Sequence, residues 1–219
     1  MKTKCVSKFE VNKYLLIGVI IYLISLLYLL FLNPMLQKQN TSNVVSIIYF
    51  LLMSFCILFF TNIFDFNIGC YRDAKNSDKN FNKKRIAVIT IFSLIVIGKI
   101  LLCLWARNLM ECMLSTSQFI FSIVKQFFVV IAEEYLFIGL FYEGFKTKKL
   151  PFIANVIIVS ILFTLLHFTN FSNGFDIYSF CTIFAIRLII LFGYKVFPFI
   201  PFFCAFHFLW NFGSYLTLY

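Results

Sequence analysis

From Tyr14 to Leu32 the chain carries no charged side chain, and further apolar stretches follow at Val44–Phe64, Ile86–Trp105, Phe119–Phe141 and Phe152–Phe168. Crossing a bilayer takes ~20 apolar residues at 1.5 Å rise each, and these five fit or nearly fit. Two more, Ile177–Phe192 and Phe197–Leu218, are shorter or broken by Pro198 and Pro201. Long apolar runs without period-2 alternation predict helices, because barrel strands need only ~9–11 residues. Composition agrees: 62% of side chains are hydrophobic and 13% charged, against roughly 45–50% and ~25% in a soluble domain. Disorder, a collagen-like chain and a water-soluble enzyme are excluded. The expected fold class is all-α, a polytopic membrane helix bundle of about seven transmembrane helices. Residues 1–118 form an N-terminal three-span membrane region and 119–219 the core, within one integrated membrane domain.

The net charge of +10 is distributed as a topology signal. Lys2, Lys4, Lys8 and Lys13 precede the first span. Arg72, Lys75, Lys79, Lys83, Lys84 and Arg85 follow the second, Lys146, Lys148 and Lys149 the fourth, and Lys195 the sixth. The opposite side has only Lys38 and Arg107. The positive-inside rule then places the N-terminus in the cytoplasm. Met1–Lys13 is too polar for a signal-peptide core, and the first span has no small-residue cleavage site, so it is expected to stay as an anchor. No contiguous basic–aromatic surface suggests nucleic acid as a partner. The seven cysteines contain no C-x-x-C pair, and only Cys112 falls on the outer side, so no disulfide framework is expected.

Ionisable residues within the hydrocarbon each cost ~2.5–3.5 kcal/mol on insertion scales and so mark function. The candidates are Lys99, Lys125, Glu133, Glu134, His167, Arg187 and His207, with Asn211 as a polar amide. The three cations can snorkel or pair with acids. Glu133 lies ~15 Å from the cytoplasmic end of its span, and Glu134 points to a different face. Both histidines of the chain lie in late spans. His207 and Asn211 are spaced i, i+4, as are Phe163 and His167, which stacks each pair on one face. Such groups suit hydrolysis: a buried carboxylate as general base, an imidazole to hold the water, and His and Asn donors for an oxyanion. By helix rise His207 lies level with Glu133, whereas His167 lies ~24 Å deep unless its span tilts or starts a turn later.

Glu133-Glu134-Tyr135-Leu136-Phe137-Ile138-Gly139 resembles the first motif, E-E-x-x-x-R, of the type II CAAX prenyl endopeptidase and bacteriocin-processing (CPBP, or Abi) intramembrane proteases. Phe163–His167 is similar to their second motif, F-x-x-x-H, and His207–Asn211 to their third, H-x-x-x-N. Three motifs in order on separate spans are more specific than any one alone. The resemblance covers about Phe119–Gly213 and implies a CPBP/Abi-like fold. It implies Glu133 as the base that activates water, His167 assisting, His207 and Asn211 as the oxyanion hole, and Glu134 as the supporting acid. It also implies peptide or membrane-protein substrates cleaved near the bilayer, and in bacteria leader, pheromone or bacteriocin processing and self-immunity. The motif arginine is Ile138 here. An arginine there would lie i+4 from Glu134 and neutralise it; a cation from another span, Arg187 foremost, is expected instead.

No cofactor is required by this reading. A divalent metal such as zinc, held by Glu133, His167 and His207 with an open position for water, is the alternative. Asn211 is a poor zinc ligand and a good oxyanion donor, which favours a metal-free site, and no H-E-x-x-H occurs. Two other classes compete. One is an inactive protein of the same fold acting as immunity factor or scaffold, favoured by Ile138. The other is a transporter, which predicts inverted repeats that the chain lacks. Few Arg against many Lys, Asn, Ile and Phe fit an AT-rich coding genome, so a bacterial cytoplasmic membrane is the expected location.

Overall fold

The computed structural model of the protein describes residues 8–32, 35, 42–63, 80–107, 115–167 and 176–216. Lys2, Lys4, Lys38, Arg72, Lys75, Lys79, Cys5, Cys70 and Cys112 lie outside the described residues. Those described are helical apart from short connections, and no strand occurs among them. In chain order the elements are α1 (Lys8–Leu27) running into a π-helical turn (Tyr28–Leu32), α2 (Ser42–Ile63) and α3 (Phe81–Arg107). Then come α4 (Thr116–Glu134) with a second π segment (Tyr135–Tyr142), the short α5 (Glu143–Thr147), α6 (Phe152–Leu166), α7 (Ile177–Val196) and α8 (Ile200–Leu216).

Three helices are long and apolar enough to cross a membrane, over Leu15–Leu32, Phe81–Ala106 and Ile177–Val196, and shorter apolar helices run over Val44–Ile57 and Phe152–Leu166. Their outer faces carry large apolar side chains in the open, such as Phe55 at 65% and Leu102 at 66% exposure. Water would penalise such a surface and lipid does not. The chain is an integral membrane protein.

Chain breaks follow from local chemistry. Lys149 is left-handed (φ 60), with Leu150 N–H donating to Phe145 O and Lys149 N–H to Lys146 O. This is the Schellman pattern that ends a helix. Pro151 then precedes α6. Pro198 lies between α7 and α8, and Pro201 sits in the first turn of α8, where a missing N–H costs nothing. Asp176 opens α7 by accepting hydrogen bonds from the N–H groups of Tyr178 and Ser179, each at 3.0 Å, and from Ser179 Oγ.

The contacts divide the chain into two units, each discontinuous in sequence: Met1–Gln39 with Tyr135–Phe192, and Asn40–Glu134 with Gly193–Tyr219. In the first, Gly18 lets α1 approach the π segment; a Cβ there would stand 3.2 Å from Leu140 Cβ. Tyr22 lays its ring edge on Phe137 and Phe141 and donates its hydroxyl to Leu162 O at 2.9 Å. Asn155 Nδ2 donates to Tyr142 O at 2.9 Å, at the residue where the π segment ends. Arg187 is wholly buried, its guanidinium 4.5 Å from the Phe163 ring centre and 5.2 Å from that of Phe137.

In the second unit Ser54 Oγ lies 2.8 Å from Phe50 O and 2.9 Å from Phe128 O, tying α2 to α4. Phe92 of α3 inserts among Phe202, Phe203 and Phe206 of α8, with ring centres 4.6–5.8 Å apart and edges turned to faces, the favoured arrangement. Gly193 admits that ring: a Cβ would stand 2.6 Å from Phe92 Cζ and 3.1 Å from Phe203 Cε1.

Two tests follow from this packing. Gly193→Ala overpacks the buried phenylalanine cluster and is expected to cost about 1–3 kcal/mol. Gly98→Ala, whose Cβ meets nothing within 4 Å, is expected to be neutral or to gain up to about 1 kcal/mol of helix propensity. Thermal unfolding in detergent compares the two. Separately, the Ser179 hydroxyl and the Ser179 and Tyr178 amides hold the Asp176 carboxyl below the usual carboxylate range. Its capping is therefore complete above the ordinary value and lost only as pH falls through the lowered one. Amide exchange at Tyr178 and Ser179 is expected to quicken only in that acidic window, and to be fast throughout in Asp176→Ala.

Candidate functional site

α4 ends on the glutamate pair, and the chain passes from α- to π-helical geometry at the next residue. Glu134 is completely buried, while Glu133 keeps 8% of its surface. Glu133 is thus the more exposed of the two carboxylates. Against them α8 presents His207, itself buried. His207 Nδ1 is 2.7 Å from Glu134 Oε1, and Nε2 is 3.8 Å from Glu133 Oε2. An ionised carboxylate only accepts, so the Glu134 bond puts a proton on Nδ1 and turns Nε2 toward Glu133. A carboxylate behind an imidazole fixes its tautomer and orientation.

Asn211 follows His207 one turn along α8 and is half-buried. Two turns along, Tyr215 donates its hydroxyl to Gln126 Oε1 of α4 at 3.3 Å. Low numbers of α4 meet high numbers of α8, so the helices run antiparallel, joined at a Glu–His level and a Gln–Tyr level. Sequence reasoning missed Gln126 and Tyr215 because neither is charged. Their spacing was the available signal: Gln126 is i−7 from Glu133 and Tyr215 is i+8 from His207, on the polar stripes of otherwise apolar helices.

His167 belongs to the other unit. It caps α6, with Nδ1 donating to Phe163 O at 2.9 Å and its ring 4.5 Å from that of Phe163. The i, i+4 stacking of the second motif is thus present. Ile138, the position of the family's arginine, is wholly buried in the π segment. Bonding there runs i→i+5, so the α-helical i, i+4 relation to Glu134 assumed from sequence is not the local geometry. Lys99 spends its charge 5.0 Å over the Trp210 ring, with its stem against Gly213. Four cysteines, Cys56, Cys103, Cys181 and Cys204, are free thiols.

Glu133 and His207 could supply two ligands to a metal. Among the described residues, however, no group of three or more His, Cys, Asp or Glu is placed to hold one. A catalytic zinc needs three protein ligands; of the set raised for it, Glu133 and His207 meet within one unit, and His167 belongs to the other. The chemistry of Glu133 and His207 is derived without it.

The Glu134–His207 bond makes a measurable demand. Glu134→Ala leaves a buried ring without its partner and is expected to cost about 3 kcal/mol. Glu134→Gln, which keeps an acceptor oxygen, is expected to cost clearly less. Ring 15N shifts of His207, assigned with a His167 variant, are expected to show Nδ1 protonated in the wild type and to lose that preference in Glu134→Ala.

Residues 115–213 match a family model, Type II CAAX prenyl endopeptidase Rce1-like. No curated protein and no solved structure matches the chain. The matched segment holds Glu133, Glu134, His167, His207 and Asn211, and Tyr215 lies just beyond it. Over this segment, a little under half of its length, the chain resembles the Rce1-like type II CAAX prenyl endopeptidases, as its three motifs imply.

Proposed function

We propose that the protein is an intramembrane endopeptidase that hydrolyses peptide bonds of membrane-associated peptides or proteins by glutamate-activated water. The observation that carries this reading is the buried His207 between two carboxylates of unlike exposure. Glu133 takes a proton from water, and the hydroxide attacks the scissile carbonyl carbon. The oxyanion is held by His207, oriented by Glu134, and by the Asn211 amide. On collapse the C–N bond breaks and Glu133 returns its proton to the departing amine. His167 takes the assisting role that the second motif implies. Base catalysis of this kind contributes about 10²–10⁴-fold and each oxyanion donor about 10²–10³-fold.

The same proposal extends to the bilayer. α2, α4 with its π segment, α6 and α8 cross alongside the three longest helices, giving seven spans with the N-terminus in the cytoplasm. The basic residues support this through their one-sided distribution. A bacterial location and a leader, pheromone or bacteriocin peptide as substrate fit the codon-driven composition. A second reading, an inactive relative acting as immunity factor or scaffold, is favoured by one observation, Ile138 in place of the motif arginine.

Cleavage of quenched-fluorescent membrane peptides, prenylated and unprenylated, by detergent-purified protein separates the two. Glu133→Gln is expected to lower kcat at least 10³-fold and Asn211→Ala about 10²-fold, while chelator leaves the wild type unchanged. Loss on chelation would bring a metal into the mechanism. Equal cleavage by wild type and Glu133→Gln would remove Glu133 as the base. No cleavage at all, with the Glu133→Gln variant retaining the cellular phenotype, would establish the inactive reading.

A further inference from the structure

The Gln126–Tyr215 pair has no part in the chemistry above, yet it shares both polar stripes with it. Along α4, seven residues separate Gln126 from Glu133, a turn of only about 20° from exact alignment. Along α8, His207, Asn211 and Tyr215 follow at successive steps of four. The pair therefore stands about 10–12 Å along the helices from the Glu133–His207 level, with Asn211 between. Tyr215 Oη and Gln126 Oε1 satisfy one another at 3.3 Å, which leaves the two amide hydrogens of Gln126 and a lone pair on the phenol for another partner. A donor and an acceptor side by side are what a peptide unit requires, since it offers one C=O and one N–H.

We propose that Gln126 and Tyr215 form a main-chain subsite that grips an extended substrate about three residues from the scissile bond. The spacing sets that number, because an extended chain advances about 3.3 Å per residue. The proposal rests on the endopeptidase reading and adds a length requirement to it: substrate must continue for three residues on one flank of the cleaved bond. The gripping hydrogen bonds act on binding, so their loss raises Kd or KM and leaves kcat nearly unchanged for a peptide that is long enough.

The test measures binding, so that it does not depend on turnover. Full-length protein carrying Glu133→Gln is titrated in detergent with fluorescein-labelled peptides of the cleavage panel, each also shortened one residue at a time from either end. Adding Tyr215→Phe or Gln126→Met is expected to weaken the long peptides about five-fold. The same variants leave unchanged those with fewer than three residues on the gripped flank. A clasp that merely joins α4 to α8 would lower the unfolding temperature without any length dependence, and that result overturns the proposal. So does a penalty equal at all lengths, or a panel of which no member binds. Peptides that bind with the expected length dependence yet are not cut by the wild type would overturn the endopeptidase reading and leave the subsite standing.

Discussion

The hydrogen bond from His207 Nδ1 to Glu134 Oε1 is the contact on which the site depends. It joins the end of α4 to the middle of α8 through two groups that have almost no solvent. In a medium of low dielectric a carboxylate and an imidazole strengthen one another, and either alone is expensive. The consequence is geometric as much as energetic. With Nδ1 committed, the ring cannot turn, and Nε2 must face Glu133. The aromatic cluster of Phe92 with Phe202, Phe203 and Phe206 braces α8 from the α3 side, one turn before the histidine. Gly193 is needed where that cluster would otherwise collide with the chain.

Within each unit the helices are held by means suited to lipid. Apolar burial gives little net attraction between helices when the surrounding solvent is itself apolar, so packing and polar clasps carry the association. The clasps are specific: Ser54 to the Phe128 carbonyl, Tyr22 to the Leu162 carbonyl, Asn155 to the Tyr142 carbonyl. Each uses a side-chain donor on a backbone oxygen of another element. Small residues admit the close approaches, as at Gly18 against Leu140 and Gly144 against Leu15. The large side chains left outside, Phe55 and Leu102 among them, are the lipid-facing remainder.

The helices were legible because their apolar runs are uninterrupted and prolines mark the stops at Pro151, Pro198 and Pro201. The carboxylate–histidine group was legible for a different reason: with two histidines in the chain and two adjacent buried acids, few combinations exist. What escaped was either uncharged or conformational. Gln126 and Tyr215 carry no insertion penalty large enough to stand out. The π segment after Glu134 has no residue signature, since Tyr135–Tyr142 reads as a continuing apolar α-helix. Lys149 in the left-handed region occupies a position where glycine is the expected residue.

The π segment also bears on the missing arginine. An i+4 cation can neutralise Glu134 only if the helix continues in α geometry, and here it changes at the following peptide bond. A site that depended on that arginine would lose its carboxylate's partner twice over, through Ile138 and through the altered stagger. The His207 bond removes this dependence in part, because an imidazole donor at 2.7 Å already stabilises the charge that the arginine would have met. Glu134 is then tied to His207 of α8 rather than to its own helix. The departure from the motif therefore falls beside Glu134, the wholly buried acid of the pair, while Glu133 keeps its place 3.8 Å from the other nitrogen of the same imidazole.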